Sequence, residues 1–141
     1  MPQSMRLHAS AVTAYGRGVL IIGASGSGKS GLALQLMALG ATLVSDDQTM
    51  LSGVDNVVHM SAPESIAGLI EARGIGIIRT DNTSARLHLV VDMDRAETKR
   101  LPDAHTKTIL GQTLPCLHKV DSPPWPSAIM QYLKGGLRYP E

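Results

Sequence analysis

The residues best suited to chemistry in this chain lie at positions 23–30, which read GASGSGKS. Gly23, Gly28, Lys29 and Ser30 match the spacing G-x-x-x-x-G-K-[ST] of a phosphate-binding loop. Small residues let phosphate oxygens approach the main-chain N–H groups, and a following helix adds the positive end of its dipole. The loop is therefore predicted to bind a nucleoside triphosphate, with Lys29 on the phosphates and Ser30 as a ligand of Mg²⁺. The predicted nucleotide-binding residues are Gly23, Ala24, Ser25, Gly26, Ser27, Gly28, Lys29 and Ser30.

Two adjacent acids, Asp46 and Asp47, end the segment LVSDD. Their strand is predicted to lie beside the strand that leads into the loop, at the edge of the sheet where ligands bind in α/β folds. Adjacent side chains on an extended strand point in opposite directions, so the two acids cannot share one role. One can hold the metal ion, which enzymes with such loops require. The other can face the acceptor as a base.

The histidines differ in what their positions suggest. His8 lies on a predicted hairpin strand next to the strand that feeds the loop, where it can hold or polarise an aspartate. A lone histidine is more often an ordinary surface or core residue, and the pattern alone leaves both readings open. His59, His88, His105 and His118 show no metal-ligand spacing, so we assign them structural positions.

The elements around the loop predict a unit of strand, loop, helix and strand. Residues 6–14 and 19–22 read as a hairpin with the second strand buried, joined by the turn YGRG. Residues 29–39 read as a helix that ends before a glycine. Residues 41–47 read as the next strand. The predicted fold class is α/β, a mixed sheet with flanking helices around a phosphate-binding loop.

The rest of the chain predicts further strands and one more helix within a single domain, residues 1–141. Residues 62–80 allow two interpretations, a short helix near 64–70 or an extended segment broken by glycines. The other predicted elements are a turn at 52–56, strands at 57–60, 85–94 and 114–120, a charged surface at 95–103, and a helix at 127–136 with Ser127 as its N-cap and Gly135 at its end.

Composition excludes several classes of protein. Hydrophobic residues make up 43% and charged residues 18% of 141 residues, which is typical of a globular domain. Aromatic residues at 3% argue against a base-stacking nucleic-acid surface, and a net charge of +1 favours no charged partner. Cys116 is the sole cysteine and is predicted to be a small, partly buried apolar residue. The run VLII is too short to span a bilayer, so we expect a cytoplasmic protein without a membrane partner.

Several motifs occur together in a fixed order. They are His8 in the hairpin, Tyr15-Gly16-Arg17-Gly18, the loop 23–30, the pair Asp46-Asp47, EARGIGI at 71–77, and ILGQTLP at 109–115. From about residue 5 to residue 120 the sequence resembles the catalytic domain of the HPr kinase/phosphorylase family. The resemblance implies the fold of the HPr kinase C-terminal domain.

The resemblance also implies an activity. It is that of a protein serine kinase that uses ATP and Mg²⁺ to phosphorylate a regulatory serine of HPr, a phosphocarrier protein of the sugar phosphotransferase system. The reverse reaction transfers that phosphate to inorganic phosphate and gives pyrophosphate. By position, Asp46 would be the catalytic base with His8 supporting it and Lys29 on the phosphates. The implied metal residues are Ser30, Asp47 and Glu71, and Arg73 would belong to the site.

Two differences from the family pattern affect this interpretation. The sequence begins at the catalytic domain, which resembles a short form whose partner is a nitrogen-related phosphocarrier. The family's arginine-rich loop should follow LPCLHKV, but residues 121–130 read DSPPWPSAIM and contain no arginine. An arginine there would stabilise charge on the transferring phosphoryl group. Family members assemble as hexamers, so a homo-oligomer is expected, although the short C-terminal part weakens that expectation.

Two rival functions remain at this point. One is a regulatory module that senses nucleotide without transferring phosphate, which the missing arginines favour and the retained ionisable residues oppose. The other is a P-loop kinase for a small molecule, which usually has an arginine-bearing lid that this sequence does not show.

Overall fold

The structure is a computed structural model that describes residues 3–137. A 3-10 turn spans Glu64–Ile66, between the sixth and seventh strands. The strands are Gln3–Leu7 (β1), Ala9–Ala14 (β2), Arg17–Ile22 (β3), Thr42–Ser45 (β4), Thr49–Val54 (β5), Val57–Ser61 (β6), Leu69–Ala72 (β7), Gly76–Arg79 (β8), Ala85–Ala96 (β9), His105–Ile109 (β10) and Gln112–Lys119 (β11), and the helices are Lys29–Ala38 (α1) and Trp125–Gly135 (α2).

A large mixed sheet forms the centre of the fold, with the strand order β1-β5-β6-β9-β3-β2-β4. The strand β9 is parallel to β3 along one edge, and along its other edge it pairs first with β6 and then with β11. The hairpin partner β10 lies beyond β11, and β7 and β8 form a separate two-stranded sheet. This arrangement confirms the predicted α/β class.

The hairpin β2–β3 controls which strands are neighbours. Its turn consists of Tyr15 and Gly16, both with positive φ, which is the turn geometry that matches strand twist. Because so short a turn requires β2 to pair with β3, β4 pairs with β2 instead. The prediction that the strand before Asp46 lies directly beside the loop strand is therefore wrong, since β2 separates them.

Two hydrophobic clusters hold the layers together, one on each face of the sheet. The helices α1 and α2 pack on one face through aliphatic residues that include Leu36, Ile129 and Leu133. On the other face, side chains of β1, β5, β6 and the β10–β11 hairpin, such as Leu51 and Met60, pack with side chains of the central strands such as Leu20. The helix α1 is therefore fixed against β3, and the loop between them has rigid elements at both ends.

Several boundaries differ from the sequence-based expectations. The predicted strand 6–14 divides at His8, because β1 pairs with β5 while β2 pairs with β3 and β4. The segment 62–80 folds as the hairpin β7–β8 after a 3-10 turn, so the helix interpretation is wrong. The strand β10 was not predicted. The N-cap of α2 is Pro124 and not Ser127, because a proline near the first turn already fixes φ there.

The sole cysteine provides a test of the packing. Cys116 is buried within the second cluster, and burial together with the nearby charge of Asp92 raises the pKa of its thiol. We expect Ellman's reagent at pH 8 to react with the folded protein at least about tenfold more slowly than with protein unfolded in guanidinium chloride, because thiolate is scarce and access is blocked. Equal rates in the two states would contradict this packing.

Candidate active site

The loop at residues 23–30 joins β3 to α1, and two glycines determine its path. Gly28 is the N-cap of α1 with φ of 100°, a left-handed conformation that favours glycine. At Gly23, a Cβ atom would lie 2.6 Å from the hydroxyl oxygen of Ser27 and 3.0 Å from Cβ of Met93. The backbone therefore needs both glycines to form its concave path.

Lys29 is buried at the start of α1, which is unusual for a lysine. Its Nζ atom donates hydrogen bonds to the carbonyl oxygens of Gly23 and Ala24, at 2.8 and 3.0 Å. The ammonium thus lies across the mouth of the loop, with neutral partners among the described residues. A charge held in this way is available to a polyphosphate.

One polar atom in the loop lacks a partner. Within residues 3–137, the hydroxyl oxygen of Ser27 is the one buried side-chain oxygen or nitrogen that forms no hydrogen bond. Such groups are costly unless a ligand or water satisfies them. Together with the glycine constraints, this atom fits a loop built to receive a phosphate group.

Asp46 is the buried acid of the site, at 6% exposure. Its Oδ1 atom accepts hydrogen bonds from the hydroxyls of Ser30, at 2.6 Å, and Ser10, at 2.8 Å. Its Oδ2 atom accepts one from the backbone N–H of Glu71, at 3.2 Å. The carboxylate therefore joins α1, β2 and β7 at one point beside the loop.

Asp47 lies on the open side of the same corner, with 68% of its side chain exposed. Its Oδ1 atom is 2.6 Å from Nε2 of His8. The backbone of Asp47 has φ of 69°, so the chain leaves the extended conformation after Asp46. The structure therefore joins His8 to Asp47, whereas the resemblance had joined it to Asp46, and it joins Ser30 to Asp46, whereas Ser30 had been grouped with Asp47.

The other two predicted site residues lie on the β7–β8 hairpin. The backbone of Glu71 reaches Asp46, but its exposed side chain forms no hydrogen bond or ion pair with the described residues. Arg73 lies in the exposed turn after β7 and likewise forms no such contact. Glu71 thus adjoins the site through its backbone and Arg73 follows two residues later, and both side chains are exposed to solvent.

Sequence reasoning missed the contribution of β9. The carboxylate of Asp94 accepts the backbone N–H of Ala24 with both oxygens at 3.0 Å, and Met93 packs against Gly23. Asp92 in turn accepts the N–H of Asp94 at 2.9 Å. The usable signal was the acidic end of the segment LHLVVDMD, because β9 is parallel to β3 and ends at the same edge of the sheet.

A cavity of about 580 Å³ opens beside the loop. It lies between Ser27 and Gly28 on one side and the segment 119–126 on the other, where Trp125 is one of the lining residues. The volume is in the range of small-molecule sites. The cavity thus offers a lining of mixed polar and apolar character next to the phosphate-binding backbone.

Ser10 allows a test of the buried carboxylate. Its side chain is fully buried and donates to Asp46, so Ser10→Ala removes a hydrogen bond to a charged group. We expect the free energy of unfolding in urea to fall by about 1.5–3 kcal/mol. The matched control is Ser61→Ala, an exposed serine on β6, which should change stability by less than about 0.5 kcal/mol. Equal effects of the two changes would contradict the assigned hydrogen bond.

Comparisons with known proteins identify the family of this chain. The family model described as HPr Serine kinase C-terminal domain matches residues 1–117. A protein named HPr kinase/phosphorylase from Clostridium kluyveri is 45% identical over 73 residues, which are 52% of this chain and 24% of that protein. One of the same name from Caldicellulosiruptor bescii is 41% identical over 96 residues, which are 62% of this chain and 31% of that protein. The matched part thus spans about a quarter to a third of these relatives.

A solved structure gives the same result for the fold. The Hpr(Ser) kinase/phosphatase from Coxiella burnetii is similar with a TM-score of 0.77 and 29% sequence identity, over 92% of this chain and 94% of that chain. Within residues 3–137, no helix has the length and apolar character needed to cross a membrane. The family match covers most of the sequence, including the loop, both aspartates and the β7–β8 hairpin. The chain belongs to the HPr serine kinase C-terminal domain family.

Proposed function

We propose that this protein is a kinase that uses ATP and Mg²⁺ to phosphorylate a serine of an HPr-like phosphocarrier protein. The observation that carries the proposal is the separation of two neighbouring acids, with Asp46 buried on Ser30 and Asp47 exposed on His8. Kinases of this kind need one acid for the metal ion and another for the acceptor. A regulatory site that only binds nucleotide has no need of the second.

The loop residues 23–30 bind the phosphates in this proposal. Backbone N–H groups surround the phosphate oxygens, the Ser27 hydroxyl gains a partner, and Lys29 exchanges its two carbonyl contacts for phosphate oxygens. The cavity beside the loop accommodates the base of the nucleotide, with Trp125 among its lining residues.

The oxygen atoms of Ser30 and Asp46 suit Mg²⁺, a hard cation that prefers carboxylate and hydroxyl ligands. Bound Mg²⁺ would neutralise charge on the phosphates during transfer. Ser10 and the N–H of Glu71 keep the Asp46 carboxylate oriented toward Ser30. The Glu71 side chain is available as a further ligand in the same region.

Asp47 accepts the proton of the acceptor serine in this assignment. His8 holds one carboxylate oxygen, and Oδ2 forms no hydrogen bond within the described residues. This division reverses the roles that the resemblance implied for Asp46 and Asp47. It follows the contacts, because a base must reach an acceptor outside the protein and Asp47 is the exposed member of the pair.

A protein acceptor fits the open side of the site. The β7–β8 hairpin beside Asp46 exposes Ile75 at 81% and Ile77 at 65%, next to Arg73. Exposed aliphatic residues with an arginine are typical of the centre of a protein–protein interface.

The proposal also includes a homo-oligomer, a cytoplasmic location, a nitrogen-related HPr as an alternative acceptor, and the reverse reaction with inorganic phosphate.

A nucleotide-sensing module is the second candidate. The segment 119–126, which lines the cavity beside the loop, contains no arginine to stabilise the transferring phosphoryl group. Binding without transfer is the outcome that this composition favours.

Phosphate transfer distinguishes the two functions. The protein is incubated with Mg²⁺, ATP labelled on its γ-phosphate, and either HPr or nitrogen-related HPr, and labelled carrier is measured over time. We expect transfer to one carrier and a loss of about 10²–10⁴-fold in kcat for Asp47→Asn, because the base is removed. The matched control is Asp55→Asn, an exposed aspartate that also has positive φ and lies in the β5–β6 turn.

Two results would count against the kinase. Nucleotide binding by calorimetry with no label on either carrier would favour the sensor. Transfer that Asp47→Asn leaves unchanged would remove the assignment of the base. The reverse reaction is measured separately: phosphorylated carrier is incubated with inorganic phosphate, and the pyrophosphate formed is quantified.

A further inference from the structure

A second group of ionisable side chains lies where β9, β10 and β11 meet. Glu97 follows β9, His105 begins β10 and His118 is near the end of β11. One potential ligand atom from each lies within 4.8 Å of the other two, and within residues 3–137 this is the one set of three His, Cys, Asp or Glu residues with that property. The separation of 13 residues between the histidines explains why the spacing in sequence gave no signal.

A backbone irregularity creates this arrangement. His118 pairs with Asp92, but the next residue, Lys119, pairs with Ala96, so residues 93–95 bulge out of the ladder. The chain then returns, and the N–H of Glu97 donates to the carbonyl oxygen of Lys119 at 2.9 Å. Glu97 is thereby brought beside the end of β11. Bulges of this kind commonly redirect side chains next to functional sites.

The carboxylate of Glu97 is held in a fixed orientation. Its Oε2 atom accepts the backbone N–H groups of Thr98 and Lys99, at 2.9 and 3.1 Å. Its Oε1 atom faces Nε2 of His105 at 2.9 Å. The side chain of Glu97 is 9% exposed and that of His105 is 32% exposed, so the group is shielded yet open on one side.

The two imidazole rings stack on each other. The ring centroids of His105 and His118 are 3.8 Å apart with an angle of 10° between the planes. The stacking holds both rings beside the carboxylate of Glu97. Neutral imidazole is the form that binds metal ions.

We propose that Glu97, His105 and His118 form a binding site for a divalent transition-metal ion of the Zn²⁺ class. Two imidazoles and one carboxylate are a ligand set for such ions, and the exposed side leaves a fourth position for water. Ligand atoms about 2.0–2.1 Å from one tetrahedral ion lie roughly 3.3 Å apart, so the three atoms, which lie within 4.8 Å of one another, must close to that separation when the ion binds. Mg²⁺ prefers oxygen ligands and would not compete here.

The site is independent of the proposed kinase activity. Asp94, which contacts the phosphate-binding loop, lies within the β9 bulge, and Glu97 follows that bulge in the chain. None of its three ligands belongs to the group formed by His8, Ser30, Asp46 and Asp47. The alternative is a purely structural pair in which His105 bonds to Glu97 and His118 packs on it, and this alternative binds no metal ion.

Metal titration distinguishes the site from the structural pair. Metal-free protein with any affinity tag removed is titrated with Zn²⁺ by calorimetry and with Co²⁺ by visible absorption. We expect one equivalent to bind, Mg²⁺ at millimolar concentration to leave binding unchanged, and His105→Ala or His118→Ala to weaken it by more than about 100-fold, since even outer-shell changes can cost that much. The matched control is His59→Ala, an exposed histidine on β6, which should bind normally.

A second measurement does not depend on the variants folding. In wild-type protein labelled with ¹⁵N at histidine, Zn²⁺ should shift the ring resonances of two of the five histidines, and the shifts should follow assignment to His105 and His118. Absence of one-to-one binding by both metal ions would overturn the proposal. So would shifts confined to His8, because that result would place the ion at the Asp47 pair.

Discussion

The buried carboxylate of Asp46 is the interaction on which the candidate active site depends. It accepts hydrogen bonds from Ser10 on β2, from Ser30 on α1 and from the backbone of Glu71 on β7. These three elements are far apart in sequence and share this contact. A buried carboxylate is unfavourable without donors, so the three contacts must form together. Their formation fixes the loop, the hairpin and the separate β7–β8 sheet relative to one another.

The division of roles between the two aspartates follows from that constraint. Asp46 must remain within reach of Ser30, so the chain turns immediately after it, and the φ of 69° at Asp47 directs the second acid toward His8. A left-handed residue costs less for aspartate than for most residues, because its short side chain tolerates this region. One acid is thereby enclosed with the hydroxyl of Ser30, while the other stays exposed to solvent.

The loop, α1, the hairpin turn and the strand β3 could be predicted from the sequence, because their signals are local. Gly28, Lys29 and the apolar run of β3 act within a few residues of one another. The pairing of His8 with Asp47 was not predictable, since it depends on where β1 leaves the path of β2. The group around Glu97 was missed for the same reason, because it depends on a bulge in β9 that no local pattern announces. Asp94 was missed although the acidic end of β9 was a usable signal.

The most direct test of the central claim is the Mg²⁺ dependence of ATP binding. Binding is monitored by the fluorescence of Trp125, the sole tryptophan, which lines the cavity beside the loop. Titrations with and without Mg²⁺ compare wild type, Asp46→Asn and Asp47→Asn. Our account predicts that Mg²⁺ strengthens binding by at least about tenfold, or 1.4 kcal/mol, in wild type and Asp47→Asn, and that Asp46→Asn loses this gain. A gain that Asp46→Asn retains and Asp47→Asn loses would contradict it.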